Sequence, residues 1–508
     1  MVFSGQMGRC RVFLGLLGLL LGSGCTTVGP DYVPPQPDMP GEFKTDLQEK
    51  RFNAEAESEK TADEAKPDIP VKVVTQEMLA TWWETLEDPL LIRLVDKAIG
   101  NNLELKVAQS RVREERAQRG IAESARLPNV NAVGGVSRRQ NASAANAGGA
   151  VGSTLYSSGF DASWEIDLFG GIQRSVEAAG ATVEATQEQL NDTLVTLVAE
   201  VALNYIEIRT FQARLQAAEK NQKTQEETLR IVEDRLEGGL STTLSLEQAK
   251  YNLESTRSEI PTLKIGIEKA KNGLTVLLGE FPGSLDKDLD EYSRVPVTPM
   301  EVAVGVPADL LRRRPDVRQS ERELAAQTAR VGVATADLYP KLRLLGSVGL
   351  ETLSAASFFG GPAAAYQIGP QVTWNIFSSG RIRQNIKVED ERQEQALLRY
   401  ESTVLTAVKD VENALIDYAE EQVRRDSLIK SVASASEAVS YAQELYKAGL
   451  SNFLGVLEAQ RSQFTLQDKL AFSEGRVMSN LIRLFKALGG GWRPLMAGAE
   501  TETPVATN

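Results

Sequence analysis

The chain has 508 residues, of which 42% are hydrophobic, 6% aromatic and 25% charged, with a formal net charge of −13. This balance fits a globular or long-helical protein, and its acidity offers no basic stripe for nucleic acid. Histidine is absent, and the two cysteines, Cys10 and Cys25, both lie near the N-terminus, so histidine triads, imidazole metal sites and a disulfide framework are excluded from the body of the chain.

The first 24 residues read as a signal peptide. Arg9 and Arg11 form the basic flank, Val12 to Leu21 a short apolar run, and Gly22, Ser23 and Gly24 lead to Cys25. The apolar run is too short to remain as a spanning helix. The ending resembles a bacterial lipobox, with Gly22 where leucine is usual, and Cys25 is the expected lipidation site. A plain signal peptide with an incidental cysteine is the alternative. Thr26, where an aspartate would signal inner-membrane retention, points to the outer membrane. A lipidated segment and linker follows to residue 81, and its acidic stretch 42–68 reads as solvated.

The rest is a tandem repeat at an offset near 210. Gly239-Leu240-Ser241 recurs as Gly449-Leu450-Ser451, Trp164 as Trp374, and Leu278-Gly279 as Leu488-Gly489. Two copies of one unit are implied: residues 82–283 and 307–492, joined by a connection over 284–306 and followed by a tail, 493–508. In chain order the first copy predicts a helix from Pro89 to Arg126, a β-type segment, a long helix from Gly171 to Arg235, and a helix from Thr242 to Leu278. The second predicts Pro315–Leu338, a β-type segment, Arg381–Lys447 and Asn452–Leu488. At about 1.5 Å per residue, each long helix reaches nearly 100 Å, with apolar spacing close to that of a coiled coil.

The β-type segments alternate. Phe160, Ala162, Trp164 and Ile166 interleave with polar residues, Leu342, Leu344, Gly346, Val348 and Leu350 alternate with Arg343, Leu345, Ser347 and Gly349, and Tyr366 to Ile376 alternates likewise with Gln367, Gly369, Gln371, Thr373 and Asn375; Val130–Arg138 is the weakest of the four. Strands apolar on one face and polar on the other fit an outer-membrane barrel, or an amphipathic sheet in a soluble domain. Four strands do not close a barrel in lipid, where a free edge is forbidden. The chain must therefore oligomerise, a dimer supplying eight strands and a trimer twelve.

These residues resemble the TolC-like outer-membrane efflux factors, in their lipidated NodT/OprM branch. The resemblance is carried by Val28-Gly29-Pro30-Asp31-Tyr32, Trp82-Trp83 with Asp88-Pro89-Leu90, and Trp164-Glu165-Ile166-Asp167-Leu168-Phe169-Gly170. It continues through Val306-Pro307-Ala308-Asp309-Leu310-Leu311-Arg312-Arg313-Arg314-Pro315-Asp316, Trp374-Asn375-Ile376-Phe377 and Leu457-Glu458-Ala459-Gln460. It implies a mixed fold: a long α-helical coiled-coil barrel plus a transmembrane antiparallel β-barrel, two repeats per chain, completed as a homotrimer. It also implies a passive exit duct in a Gram-negative outer membrane. Its partners would be outer-membrane lipid, a periplasmic adaptor (membrane fusion protein) and an inner-membrane pump of the proton-driven RND type. No cofactor, metal or catalytic residue is expected, and no phosphate loop is present.

The resemblance assigns roles to two turns. Gly239, Leu240, Ser241 and Thr242, with Gly449, Leu450, Ser451 and Asn452, would be the periplasmic tips that meet the adaptor. From the sequence alone they read as ordinary helix caps. Leu454 and Glu458 would form the constriction, a leucine ring and a carboxylate ring favouring cations, with Tyr446 holding the closed tip. Gly455 stands where some relatives carry a further acid. Coiled-coil core is the alternative for Leu454, and a solvated face for Glu458. Small amphiphiles or drugs are the expected cargo, with metal efflux and type I secretion as alternatives. A lipid-anchored coiled-coil scaffold without a pore is the competing class.

Overall fold

The structure, a computed structural model, describes residues 27–35, 79–140, 152–295, 312–360 and 363–492. The signal peptide, Cys25, the acidic stretch, residues 306–311 of the arginine-rich run and the tail after Trp492 lie outside them. In chain order the elements are α1 (Pro89–Asn101), α2 (Leu103–Ser124), β1 (Asn129–Gln140), β2 (Gly152–Ile166), α3 (Gly171–Glu237) and α4 (Thr243–Leu277). After a one-turn helix, Asp286–Leu289, come α5 (Pro315–Ala336), β3 (Lys341–Thr352), β4 (Ala364–Thr373), α6 (Arg381–Lys447) and α7 (Phe453–Ala487). The repeat is visible in element lengths: α3 and α6 are each 67 residues long, and α4 and α7 each 35.

One expected helix is two. Pro89–Arg126 breaks at Asn102, whose ψ of 130° is not helical. Its Oδ1 accepts from the Leu105 N–H at 2.9 Å and its Nδ2 donates to the Leu277 carbonyl at 2.9 Å. The side chain thus starts α2 as a cap and ties it to the end of α4. The strands also differ from expectation. β2 begins at Gly152, eight residues before Phe160, and β4 ends at Thr373, before Trp374 and Ile376. The Trp374 indole instead donates to the Leu338 carbonyl at 3.0 Å, as Trp164 donates to Arg126 at 2.9 Å. The two tryptophans therefore make the same contact in each repeat.

The chain divides into two compact units that cut across the repeats. One comprises Met1–Gln36, Ser110–Gln187 and Gln319–Ser402; the other comprises Pro37–Gln109, Glu188–Arg318 and Thr403–Asn508. The first unit holds the sheet, antiparallel throughout in the order β1-β2-β3-β4. Opposed pairs such as Val130↔Ala162, Phe160↔Val348 and Val348↔Tyr366 place like residues on one face. That face carries Val130, Val136, Phe160, Val348, Tyr366, Ile368 and Val372, all exposed. The opposite face carries Asn131, Asp161, Glu165, Arg343, Gln367 and Gln371, and Glu165 accepts from the Arg343 Nε at 3.0 Å. At the foot of β2 the N-terminal segment lies against the unit. Val28 donates to the Phe169 carbonyl, and the buried Arg174 reaches Asp31 at 2.5 Å. The Tyr32 hydroxyl donates to Glu321 at 3.1 Å beneath the Arg322 guanidinium.

The second unit explains two of the sequence motifs. Trp82 is fully buried and stacks on Phe485 at 5.3 Å. Asp88 caps α1 by accepting from Leu90 and Leu91, and also accepts from the Tyr205 hydroxyl. Burial, and next the Asp88 contact, push the Tyr205 phenol up to about 12. Of the three consecutive arginines only Arg314 is buried. It grips Asp316 through two bonds and donates to the Ala487 carbonyl at 2.7 Å.

Candidate functional site

The ends of α3, α4, α6 and α7 meet around two matching turns, all within the second unit. α3 stops because Gly239 adopts φ +72°, and the Leu240 N–H then reaches back to the Arg235 carbonyl at 2.7 Å. α6 stops the same way at Gly449, with φ +73° and Leu450 bonded to Leu445 at 2.9 Å. A Cβ at these angles would be strained, so glycine is required. The following helices are capped from outside: Thr242 accepts from the Ser245 N–H and Asn452 from the Gly455 N–H. The turns project Leu240 and Leu450 outward, 69% and 76% exposed.

Beneath the turns lies a small core of Val232, Ala249, Tyr446, Phe453, Val456 and Leu457. It draws on both repeats, so each turn rests on the other's helices. Tyr446 is buried in it, edge-on to Phe453 at 5.6 Å, with its hydroxyl 3.2 Å from the Ser241 Oγ. The sequence-predicted Tyr446 and Ser241 are therefore brought together, one from each repeat.

Leu454 and Glu458 sit one turn apart on the exposed face of α7, opposite Phe453, Val456 and Leu457. Within the chain Leu454 is 45% exposed, so it is not core of this protomer. Its first-repeat counterpart, Leu244, is exposed as well. The pair faces outward from the chain.

Arg235 was not anticipated. It donates to the Lys447 carbonyl at 2.9 Å, and its guanidinium lies 4.8 Å over the Tyr446 ring. Its Nε is buried without a partner. The position 210 residues later is Leu445, so the repeat comparison held the signal: a charge in one copy at a site that is apolar in the other. Cys25 lies outside the described residues. No described helix is long and apolar enough to cross a membrane.

A family model described as "Outer membrane efflux protein" matches residues 94–280 and 306–490, one match per repeat. The cation efflux system protein CusC of Escherichia coli O157:H7 is 31% identical over 82% of this chain and 89% of its own length. The toluene efflux pump outer membrane protein TtgI of Pseudomonas putida is 28% identical over 94% of this chain and 98% of its own. Among solved structures, the outer-membrane channel OprN superposes with a TM-score of 0.82 at 32% identity. That match covers 92% of this chain and 100% of the other.

Proposed function

From the premise that the chain belongs to the outer membrane efflux protein family, we propose that it forms a homotrimeric exit duct for small amphiphilic compounds. It is an outer-membrane channel of a tripartite efflux system, with a large periplasmic helical part, and not an enzyme. The trimer is this reading's choice between eight and twelve strands. Both edge strands, β1 and β4, pair on one side only among the described residues, and lipid demands closure. The sheet's apolar face would meet the bilayer and its polar face the lumen. Cys25, two residues before the docked segment at Thr27, would carry the lipid. Residues 82–283 and 307–492 are the proposed structural repeats, flanked by the signal peptide, linker, connection and tail given above.

The observation that carries the partner assignment is the pair of turns presenting Leu240 and Leu450. Two large apolar side chains more than two-thirds exposed on capped turns would serve as the docking surface. The proposed partners are a periplasmic adaptor and, through it, an inner-membrane pump. Leu454 and Glu458 would ring the constriction above the tip, and Tyr446 would hold the tip helices together. An adaptor that bound the open arrangement better would shift the population toward it.

The relatives divide in cargo, one named for cations and one for toluene. Amphiphiles are favoured for this chain because it has no histidine and only seven methionines, a poor supply of soft ligands for a metal relay. The test is a photoreactive residue at Leu450 in living cells. Capture of a periplasmic adaptor, and with it a proton-driven pump, is the expected result. Capture of structural envelope proteins alone would promote the pore-less scaffold, and an ATP-driven pump would redirect the cargo to peptides or macrolide-like compounds.

A further inference from the structure

Among the described residues, the apolar face of the sheet carries a single charge. Val130, Ala132, Gly134 and Val136 of β1 share that face with Arg138, and the register sets Arg138 opposite Thr154 of β2. The positions of β2, β3 and β4 on the same face, through Ile166, Leu342 to Thr352 and Ala364 to Val372, are all uncharged. Arg138 is exposed and makes no side-chain hydrogen bond or ion pair among the described residues. The chain around it offers no carboxylate either. The connections 141–151 and 353–363 contain no acidic residue, and Glu351 stands on the opposite face, in register with Ser157. Closing the sheet against a second copy brings β4 beside β1, and the apolar face of β4 is equally free of acid.

The height of Arg138 on the sheet defines what it meets. β1 follows α2 and β2 leads into α3, so Trp164 and Ile166 stand at the helical, periplasmic end and Arg138 at the opposite, outer end. Thr154, beside Arg138, is ten residues from Trp164 along β2. At about 3.4 Å per residue and a strand tilt of about 40°, that is about 26 Å, the height of a barrel's apolar band. Arg138 therefore lies where hydrocarbon ends and headgroups begin. Tyr156 is half-buried one pair inward, and Thr154 and Gln140 place a hydroxyl and an amide on the same face as the guanidinium. An unpaired cation among hydrogen-bonding groups at that depth is complementary to a headgroup that carries phosphate and hydroxyls together. Resting on the lipid-facing placement of the apolar face given above, we propose that Arg138, with Thr154 and Gln140, binds the phosphorylated sugar headgroup of an outer-leaflet glycolipid of the lipid A type. The planar guanidinium holds the phosphate through paired N–H donors, and the acyl chains lie along Val136 and Phe160.

The test is native mass spectrometry of the full-length protein in detergent, freed of co-purified lipid and titrated with lipid A. Saturable adducts are expected. Arg138→Gln should weaken them at least about tenfold, since a charge-assisted pair with phosphate is removed. Arg139→Gln is the control. It removes the same charge from the next residue, on the polar face, and should leave binding unchanged. Lipid A stripped of its phosphates should bind the parent about as weakly as lipid A binds Arg138→Gln. Heat-modifiable oligomer bands check that Arg138→Gln assembles; Thr154→Val, with an expected loss of several-fold, serves as the second variant if it does not. No saturable adduct, no loss in either arginine variant, equal loss in both, or equal binding of phosphatidylglycerol would overturn the site and leave the barrel standing. Loss in Arg139→Gln alone would overturn it differently: the other face would meet lipid, and the proposed placement of the sheet would fall with it.

Discussion

Arg235 and Glu458 occupy the same end of the helical unit and are assigned opposite tasks. Arg235 joins the repeats, bonded to the Lys447 carbonyl and stacked on the Tyr446 ring. Removing it deletes a charge-assisted bond and a cation–π contact, together about 2 kcal/mol. Arg235→Ala should therefore raise the open probability of the reconstituted channel roughly tenfold or more, read in planar bilayers. An unchanged open probability would show that the tip is held elsewhere. Glu458 is exposed and makes no side-chain hydrogen bond or ion pair among the described residues, and the proposal places it in the lumen. Glu458→Gln should lower the cation-over-anion permeability ratio several-fold while leaving the melting temperature within about 1 °C, since exposed charges contribute little to stability. A ratio that did not move would return Glu458 to a merely solvated face.

The helices are specified by their periodicity, but their contacts depend on close approaches that periodicity does not show. Gly475 on α7 is the clearest case. A Cβ added there would lie 1.9 Å from the Thr210 Oγ1 of α3. Gly475→Ala should destabilise the protein by about 1–3 kcal/mol through forced separation of the two helices, measurable by thermal denaturation. Gly180, inside α3 with nothing within 4 Å of its added Cβ, should respond oppositely, with Gly180→Ala neutral or stabilising by about 0.4–1 kcal/mol. If Gly180→Ala disrupted assembly instead, another chain would lie against that face. The repeats also diverge at their glycines. Gly120 has open space around it, whereas its counterpart Gly332 lies against Arg174, and a Cβ on Gly29 would meet its backbone at 2.4 Å. Among the described residues nothing lies over the first-repeat glycine, a difference that repeat alignment alone does not reveal.

At the scale of the whole molecule, the sheet's two faces define where the chain can sit. Phe160 and Asp161 are neighbours in β2 on opposite faces. Phe160→Lys places a charge on the bilayer face, costing about 2–4 kcal/mol near the midplane. It should abolish heat-modifiable oligomer bands in detergent, while Asp161→Asn, on the polar face, should leave them intact. Equal tolerance of both would exclude a lipid-facing sheet and favour the scaffold. The unpaired sides of β1 and β4 make the same point from the backbone: one chain supplies part of a barrel, and assembly must supply the rest.

Much of this was legible in the sequence because it follows from period and spacing. Alternation in β2, β3 and β4 gave the faces, proline-free apolar periodicity gave the long helices within two residues, and glycine followed by Thr242 or Asn452 gave the turns. The offset near 210 predicted that the two turns would be equivalent. The break at Asn102 was not legible, since an asparagine in a helical pattern stops a helix only when its side chain finds partners such as Leu105 and Leu277. Nor was the pairing of Arg235 with Tyr446 or of Arg174 with Asp31. Local sequence determines backbone preference and which face is apolar, because those depend on neighbours within a turn or a pleat. Which polar groups meet across 143 or 212 residues of chain, and which are left without a partner, is decided only when the helices pack.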